Sequence, residues 1–179
     1  NEFRGGKGIL PVNQSKNQNP LFSAFINASV EAGYKKNNDM NGEDQEGFGM
    51  YDITIHKGQR ASASKYYLEP AKKRKNLKVF TNSFAERIIF EGKKAVGIEV
   101  NIKNKVTKVY ATKEIVLSGG SINSPQLLML SGVGPEKDLK DKGINVVHSL
   151  EGVGQNLQDH LETYIPVSYT HLTLPTNGL

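Results

Sequence analysis

Apolar and polar positions recur along the chain with two periods, and each change of period marks an element. Asn19 suits a helix cap and Pro20 a first helical position. Phe22, Phe25, Ile26 and Val30 then fall on one face at helical spacing until Gly33 closes the pattern. That stripe is expected to pack into a core. Arg4 to Asn19 is rich in Gly, Asn and Lys and reads as loop, and Lys35 to Gly49 has the polar, glycine-punctuated composition of a long surface loop or cavity wall. Met50 to Ile55 switches to the two-residue period of a strand. Arg60 to Leu68 has good helix formers, which Pro70 is expected to kink or end. Four short strands follow, Leu77 to Thr81, Arg87 to Phe90, Val96 to Ile102 and Thr107 to Ala111. The last three are separated by short charged turns, and together they make a meander.

Glu114 to Pro135 carries the densest local chemistry. Ile115, Val116 and Leu117 form a short apolar run, read as a buried parallel-type strand, that ends in Ser118, Gly119 and Gly120. Ser124 is placed as an N-cap and Pro125 as the first helical residue, so Gln126 to Leu130 should open a helix whose N–H groups point back at the turn. Gly132 stops it. A strand, a turn of small residues and a helix N-terminus suit the phosphates or polar edge of a nucleotide, since two glycines let a backbone approach closely and the helix end favours negative charge. The same arrangement also occurs as plain packing. Beyond it, Glu136 to Lys142 reads as a short polar helix ended by Gly143, Ile144 to Val147 as a strand, and Gly152 to His160 as a glycine-rich loop.

Composition narrows the function classes. With 179 residues the chain can bury one good core. It has no cysteine, which excludes disulfides and thiolate catalysis. The net charge of +5 comes from scattered lysines, and the one cluster, Lys72 to Lys75, reads as a solvated helix end. The basic face with interleaved aromatics that nucleic acid would need is missing. No transmembrane run is visible. Asn1-Glu2-Phe3-Arg4 has neither an initiator Met nor an apolar leader and is expected to lie inside a longer reading frame.

Gly119-Gly120-Ser121-Ile122-Asn123-Ser124-Pro125-Gln126-Leu127-Leu128-Met129-Leu130-Ser131-Gly132-Val133-Gly134 resembles the second signature of the glucose-methanol-choline (GMC) flavin oxidoreductases. Asn19-Pro20-Leu21-Phe22, Gln45-Glu46-Gly47-Phe48-Gly49, Thr54-Ile55-His56-Lys57-Gly58 and Gly152 to Leu161 extend the resemblance from about Gly5 to Ile165. They point to the choline-oxidising branch, nearer the animal mitochondrial form than the bacterial one. The resemblance implies a mixed α/β fold: the central part of an FAD-binding domain with a β-meander, and a piece of the substrate domain. It assigns 1–55 to the substrate side, 56–160 to the FAD-binding domain and 161–166 to the return toward the substrate domain. Residues 167–179 do not continue the pattern and look like a translated sequencing adapter. The family's Gly-x-Gly-x-x-Gly turn would precede Asn1 and its catalytic His would follow Leu179, so no catalytic residue is expected in the chain.

The resemblance also implies FAD as cofactor, choline as substrate, a respiratory quinone as electron acceptor and association with the mitochondrial inner membrane. It puts Ser118, Gly119 and Gly120 against the FAD, and Ala85 where a strand passes the adenine with backbone hydrogen bonds. Glu162, just after Asp159-His160-Leu161, would face the quaternary ammonium of the substrate. No metal ligands are expected. His56 and His148 read as surface or strand-end residues, and Asp159 and His160 as structural. The alternatives are a GMC enzyme acting on another alcohol or glucose, and a stand-alone binding module.

Overall fold

The computed structural model describes residues 3–15 and 19–163. The adapter-like stretch and residues 164–166 lie outside them. The chain forms two compact units that divide between Val79 and Phe80.

In the first unit, helix α1 spans Pro20–Glu31. Asn19 caps it as its residue type predicts, its side-chain oxygen accepting from the Leu21 N–H at 3.0 Å. Gly33, with φ of +90°, turns the chain out. The apolar stripe is not the expected core face: Phe25 is 58% exposed, and Phe22 and Val30 are also exposed. Within this unit its main aromatic neighbour is the ring of Phe48, 5.7 Å from that of Phe25. The loop facing it has no second apolar layer to offer.

That loop is nonetheless tightly built. Asn37, buried, donates through Nδ2 to the carbonyls of Asp44 (2.8 Å) and Glu46 (3.0 Å), and its Oδ1 accepts from the Asp39 N–H at 2.8 Å. A Cβ on Gly49 would lie 2.0 Å from the Asn37 carbonyl oxygen, so only glycine passes there. Arg4 ties the N-terminal segment to it, donating to Asp39 (Nε to Oδ2, 2.9 Å) and to Asp52 at 2.7 Å. These bonds hold the Asp52 carboxyl below its usual range, with Asn41 adding a further hydrogen bond.

The segment read as loop therefore contributes a short strand, β1 (Asn13–Gln14), antiparallel to β2 (Asp52–Ile53). The strand expected over Met50 to Ile55 is split in two, because Ile55–His56 (β3) turns back on Gln59–Arg60 (β4). Lys57 and Gly58, both at positive φ, make that two-residue turn. The helical segment ends at Ala71, one residue past Pro70, close to where the proline was expected to kink or end it. A π-helical turn, Ser64–Leu68, precedes a short helix α2 (Glu69–Ala71), with Pro70 in its first turn.

The second unit is built on a three-stranded antiparallel meander of β5 (Ser83–Glu91), β6 (Lys94–Ile102) and β7 (Lys105–Tyr110). Its hairpins follow from sequence: Gly92 takes φ +58° in one, and Lys103 and Asn104 take φ +50° and +65° in the other. Ile88 pairs with Ile98, which pairs with Val109. The expected strand Leu77 to Thr81 has no regular secondary structure and no strand partner among the described residues. The same holds for Ile115 to Leu117, where Val116 is 73% exposed. A parallel strand takes its hydrogen bonds from segments remote in sequence, so apolar pattern alone does not make it a ladder.

Helix α3 runs from Gly120 to Leu130, starting earlier than expected. Ser124 is not its N-cap: its Oγ accepts from the Gly119 N–H at 2.9 Å, closing the first turn from within. Pro125 lies inside the helix at the cost of one rung, opposite Ser121, which is exposed and can turn its carbonyl to water. Gly132, at φ +86°, ends the helix as expected. Strand β8 (Val133–Gly134) and helix α4 (Glu136–Asp141) follow, and Leu139 of α4 is the most deeply buried side chain, 2% exposed. Ile144 to Val147 is not a strand. The pairing comes one step later, where His148–Ser149 (β9) runs parallel to β8. Both Val147 and His148 N–H groups already converge on the Gly132 carbonyl. With Leu139, the buried apolar residues Ile88, Val100, Val133 and Val153 make up the core of this unit. Among the described residues no helix is long and apolar enough to cross a membrane.

Candidate cofactor-binding site

A cleft of about 330 Å³ opens in the second unit between the start of β5, the Ile115 to Leu117 segment and α3. Ala85, Ser118 and Gly119 all line it, so Ala85 meets the Ser118–Gly119 turn in one place although 33 positions separate it from Ser118. Gly120 follows directly and begins α3. Glu162 does not line the cleft. It is exposed, in the irregular stretch after Gly154, where Asp159 Oδ1 accepts from the His160 N–H at 2.9 Å.

Each wall has a local cause. Ala85 sits on β5, the terminal strand of the meander, beside a register shift between Ala85 and Arg87. Such a bulge re-aims a strand, and a terminal strand has an edge not used by another strand. Gly120 requires glycine for its conformation, φ +87°, while a Cβ placed there would meet nothing within 4 Å beyond its chain neighbours and the backbone of its own helix. The turn therefore presents bare backbone to open space. Gly119 is different: a Cβ there would come within 3.1 Å of the Asn123 side chain. The first turn of α3 holds no acidic side chain, so the positive end of the helix dipole is not offset from within the helix.

The lining is apolar at Ile98, Ile115, Leu117 and Leu127, with polar atoms from Ser118, Asn123, Ser124 and Gln126. This suits a flat ring system with a polar rim. Asn123 and Gln126 were not singled out by sequence, because the expected helix began at Pro125. A helix starting at Gly120 puts both on the same exposed first turns. No histidine and no carboxylate lines the cleft, so its own side chains carry no acid–base chemistry. Among the described residues no group of three or more His, Cys, Asp or Glu could hold a metal ion.

The charged cluster of this unit lies instead on the strands. Arg87 Nε donates to Glu99 Oε2 at 2.5 Å, and Lys108 stands 3.5 Å from the other oxygen. The hydrogen bond from Arg87 holds the Glu99 carboxyl below its usual range; burial opposes this, and the charges of Arg87 and Lys108 reinforce it.

Residues 3–162 match the pattern described as GMC oxidoreductase. The chain belongs to the GMC oxidoreductase family. It is 53% identical over 168 residues to the mitochondrial choline dehydrogenase of Homo sapiens, covering 94% of this chain and 28% of that protein. It is 50% identical over 163 residues to the oxygen-dependent choline dehydrogenase of Brucella ovis, covering 91% and 30%. The solved FAD-dependent oxidoreductase from Chaetomium thermophilum superposes with a TM-score of 0.80 at 30% identity, covering 98% of this chain and 32% of that one. The chain thus spans less than a third of the length of these GMC relatives. The mixed α/β architecture is that of the GMC FAD-binding structures, and FAD is the cofactor of the GMC family. The cleft fits part of such a group: a glycine turn at Gly119, next to Gly120, which does not itself line it, a helix start without acidic side chains, and apolar walls.

Proposed function

We propose that this chain is the central part of an FAD-dependent dehydrogenase that oxidises choline to betaine aldehyde. The observation that carries the reading is the cleft that joins Ala85, Ser118 and Gly119 at the start of α3. Relatives named as choline dehydrogenases at about half identity support choline as the substrate. Residues 56–160 would hold the flavin, with the Ser118 to Gly120 backbone against it and the β5 edge at Ala85 reading the adenine. Residues 1–55 would belong to the substrate side, and 161–166 would lead back to it. When bound, the flavin accepts the hydride that leaves the alcohol carbon. The part of this chain is to hold and orient it and to exclude water. The base that takes the hydroxyl proton is not among the cleft residues.

Glu162 would supply the counter-charge for the trimethylammonium head of the substrate, a role that suits a carboxylate. The human and mouse relatives are mitochondrial, which supports the same location here, associated with the inner membrane and passing electrons to a quinone. The Brucella ovis relative is named oxygen-dependent, so the acceptor is the part of the proposal least tied to this chain.

The test uses the complete open reading frame. The purified protein should be yellow, and anaerobic choline should bleach its flavin absorbance. A full-length protein without flavin would overturn the cofactor role, and a flavoprotein that choline leaves oxidised would overturn the substrate. The 179-residue chain alone should not retain FAD through purification, because a cleft of about 330 Å³ encloses only part of a dinucleotide.

A further inference from the structure

Ser131 stands just past the C-terminal end of α3, outside the lining of the cleft, and its hydroxyl bridges that helix to β5, two elements that each contribute residues to the cleft. Its Oγ accepts from the Ile88 N–H of β5 at 2.8 Å and donates to the Leu127 carbonyl of α3 at 2.6 Å. Ser131 is 7% exposed and Ile88 6%, so neither bond competes with bulk water. The Ile88 amide is used by Ser131 and not by β6, which places it on the outer edge of the terminal strand, the strand that carries Ala85. Leu127 lines the cleft from the helix side. One side chain thus spans 43 residues of sequence and sets the distance between the strand edge and the helix that bound the cleft.

The helix is also held at this end by its own stop. The Ser131 N–H reaches both the Leu127 and Leu128 carbonyls, and a Cβ on Gly132 would come within 2.4 Å of the Asn145 carbonyl. Anchored there, α3 extends over roughly 16 Å to its N-terminus at Gly120. A small rotation at the anchor moves the far end the most, and that end is the one offered to the cofactor.

We propose that Ser131 is a positioning residue for the flavin: its hydroxyl latches the C-terminal end of α3 to the edge of β5 and thereby sets the register between Ala85 and the Ser118 to Gly120 backbone. The inference rests on the FAD reading above, and it adds a residue that touches neither cofactor nor substrate. Loss of the hydroxyl leaves the buried Ile88 N–H without an acceptor, and the cheapest relief is for strand and helix to part until water enters. Parting widens the cleft.

The experiment compares Ser131→Ala and Ser131→Thr in the full-length holoenzyme. FAD is removed and rebound, and the dissociation constant and the visible circular dichroism of the bound flavin are read. Ser131→Ala should weaken FAD by about tenfold and change the flavin dichroism, whereas Ser131→Thr, which keeps the hydroxyl, should stay within about threefold of wild type. With flavin saturating, KM for choline should be the same in all three. Unchanged FAD affinity in Ser131→Ala, or equal loss in both variants, overturns the latch. If Ser131→Ala does not fold, hydrogen exchange of the Ile88 amide in the wild-type holoenzyme decides. Strong protection supports the latch, and exchange at the rate of a free strand edge overturns it. A wild-type enzyme that binds no flavin overturns the FAD reading and this inference together, while wild-type binding with an indifferent Ser131→Ala overturns only the latch.

Discussion

Gly120→Val separates two costs that the turn combines. At φ +87° a side chain with a Cβ is strained by about 1 to 3 kcal/mol, and a β-branched one sits at the upper end of that range. Beyond its chain neighbours and the backbone of its own helix, nothing lies within 4 Å of the added Cβ, so no crowding against the rest of the chain adds to that strain. If nothing else occupies that space, the substitution costs stability alone. Gly92 supplies the control: it has φ +58°, its added Cβ also meets nothing within 4 Å, and it lies at a hairpin tip remote in sequence from the cleft, whereas Gly120, itself outside the lining, directly follows the lining residues Ser118 and Gly119. In the full-length enzyme Gly120→Val and Gly92→Val should lower the midpoint of urea unfolding by similar amounts. Only Gly120→Val should lose flavin, because its isopropyl group occupies the space where the cofactor would meet bare backbone. The assay is the ratio of flavin to protein absorbance after purification, followed by titration of the apoprotein with FAD. A Gly120→Val holoenzyme with full flavin content refutes the reasoning. So does a Gly92→Val enzyme that loses flavin to the same extent, since destabilisation would then be the whole effect.

Three further outcomes are expected. Glu162→Gln in the full-length enzyme should lower kcat/KM for choline by about one to two decades and spare the neutral isostere 3,3-dimethylbutanol; equal losses would assign Glu162 to the fold. Because Arg87 holds the Glu99 carboxyl below its ordinary value of 4.5, the stability it contributes is complete above that value and fades as pH falls through the lowered folded value. Glu99→Gln should therefore flatten the acid side of a pH–stability curve of the folded chain and leave its slope above neutrality unchanged. Gly132→Ala should destabilise more than Gly120→Ala, by about 1 to 3 kcal/mol in urea unfolding, because it adds a clash 2.4 Å from the Asn145 carbonyl to the same positive-φ strain.

What was legible in the sequence is what short-range chemistry decides. The Asn19 cap, the stop at Gly132, the hairpin turns of the meander and the short helix closed by Gly143 all formed where residue types put them, because each needs partners only a few positions away. The start of α3 was misplaced for a definable reason. Ser124 and Pro125 have the residue types of a helix start, and the positive φ of Gly120 and the Ser124-to-Gly119 bond that override them are not visible in a composition pattern. The cleft was legible in part. The resemblance put Ser118, Gly119 and Gly120 against the FAD and Ala85 beside the adenine, and the structure brings all but Gly120 into one cleft, whereas Asn123, Gln126 and Ser131, though inside the same signature stretch, were given no role of their own because their residue types fit an ordinary helix face.

The remaining disagreements share one cause. Leu77 to Thr81 and Ile115 to Leu117 have strand patterns but no ladder among the described residues, and Phe22, Phe25 and Val30 have a helical stripe that stays exposed. Hydrophobic periodicity records which face a segment buries in the whole protein, and a parallel ladder or a second layer is supplied by chain far away in sequence. This chain spans 28% of the human relative, so a pattern written for the whole can be right about the face and still find no partner within the piece. The same argument explains why the cleft is open on the side of Val116 and Phe84, which are 73% and 69% exposed. Both are apolar, and neither contributes a hydrogen-bonding side chain to a cofactor. Under the proposed function, the polar rim of Ser118, Asn123, Ser124 and Gln126 would face the cofactor, and the apolar side at Val116 would be the one covered by further chain.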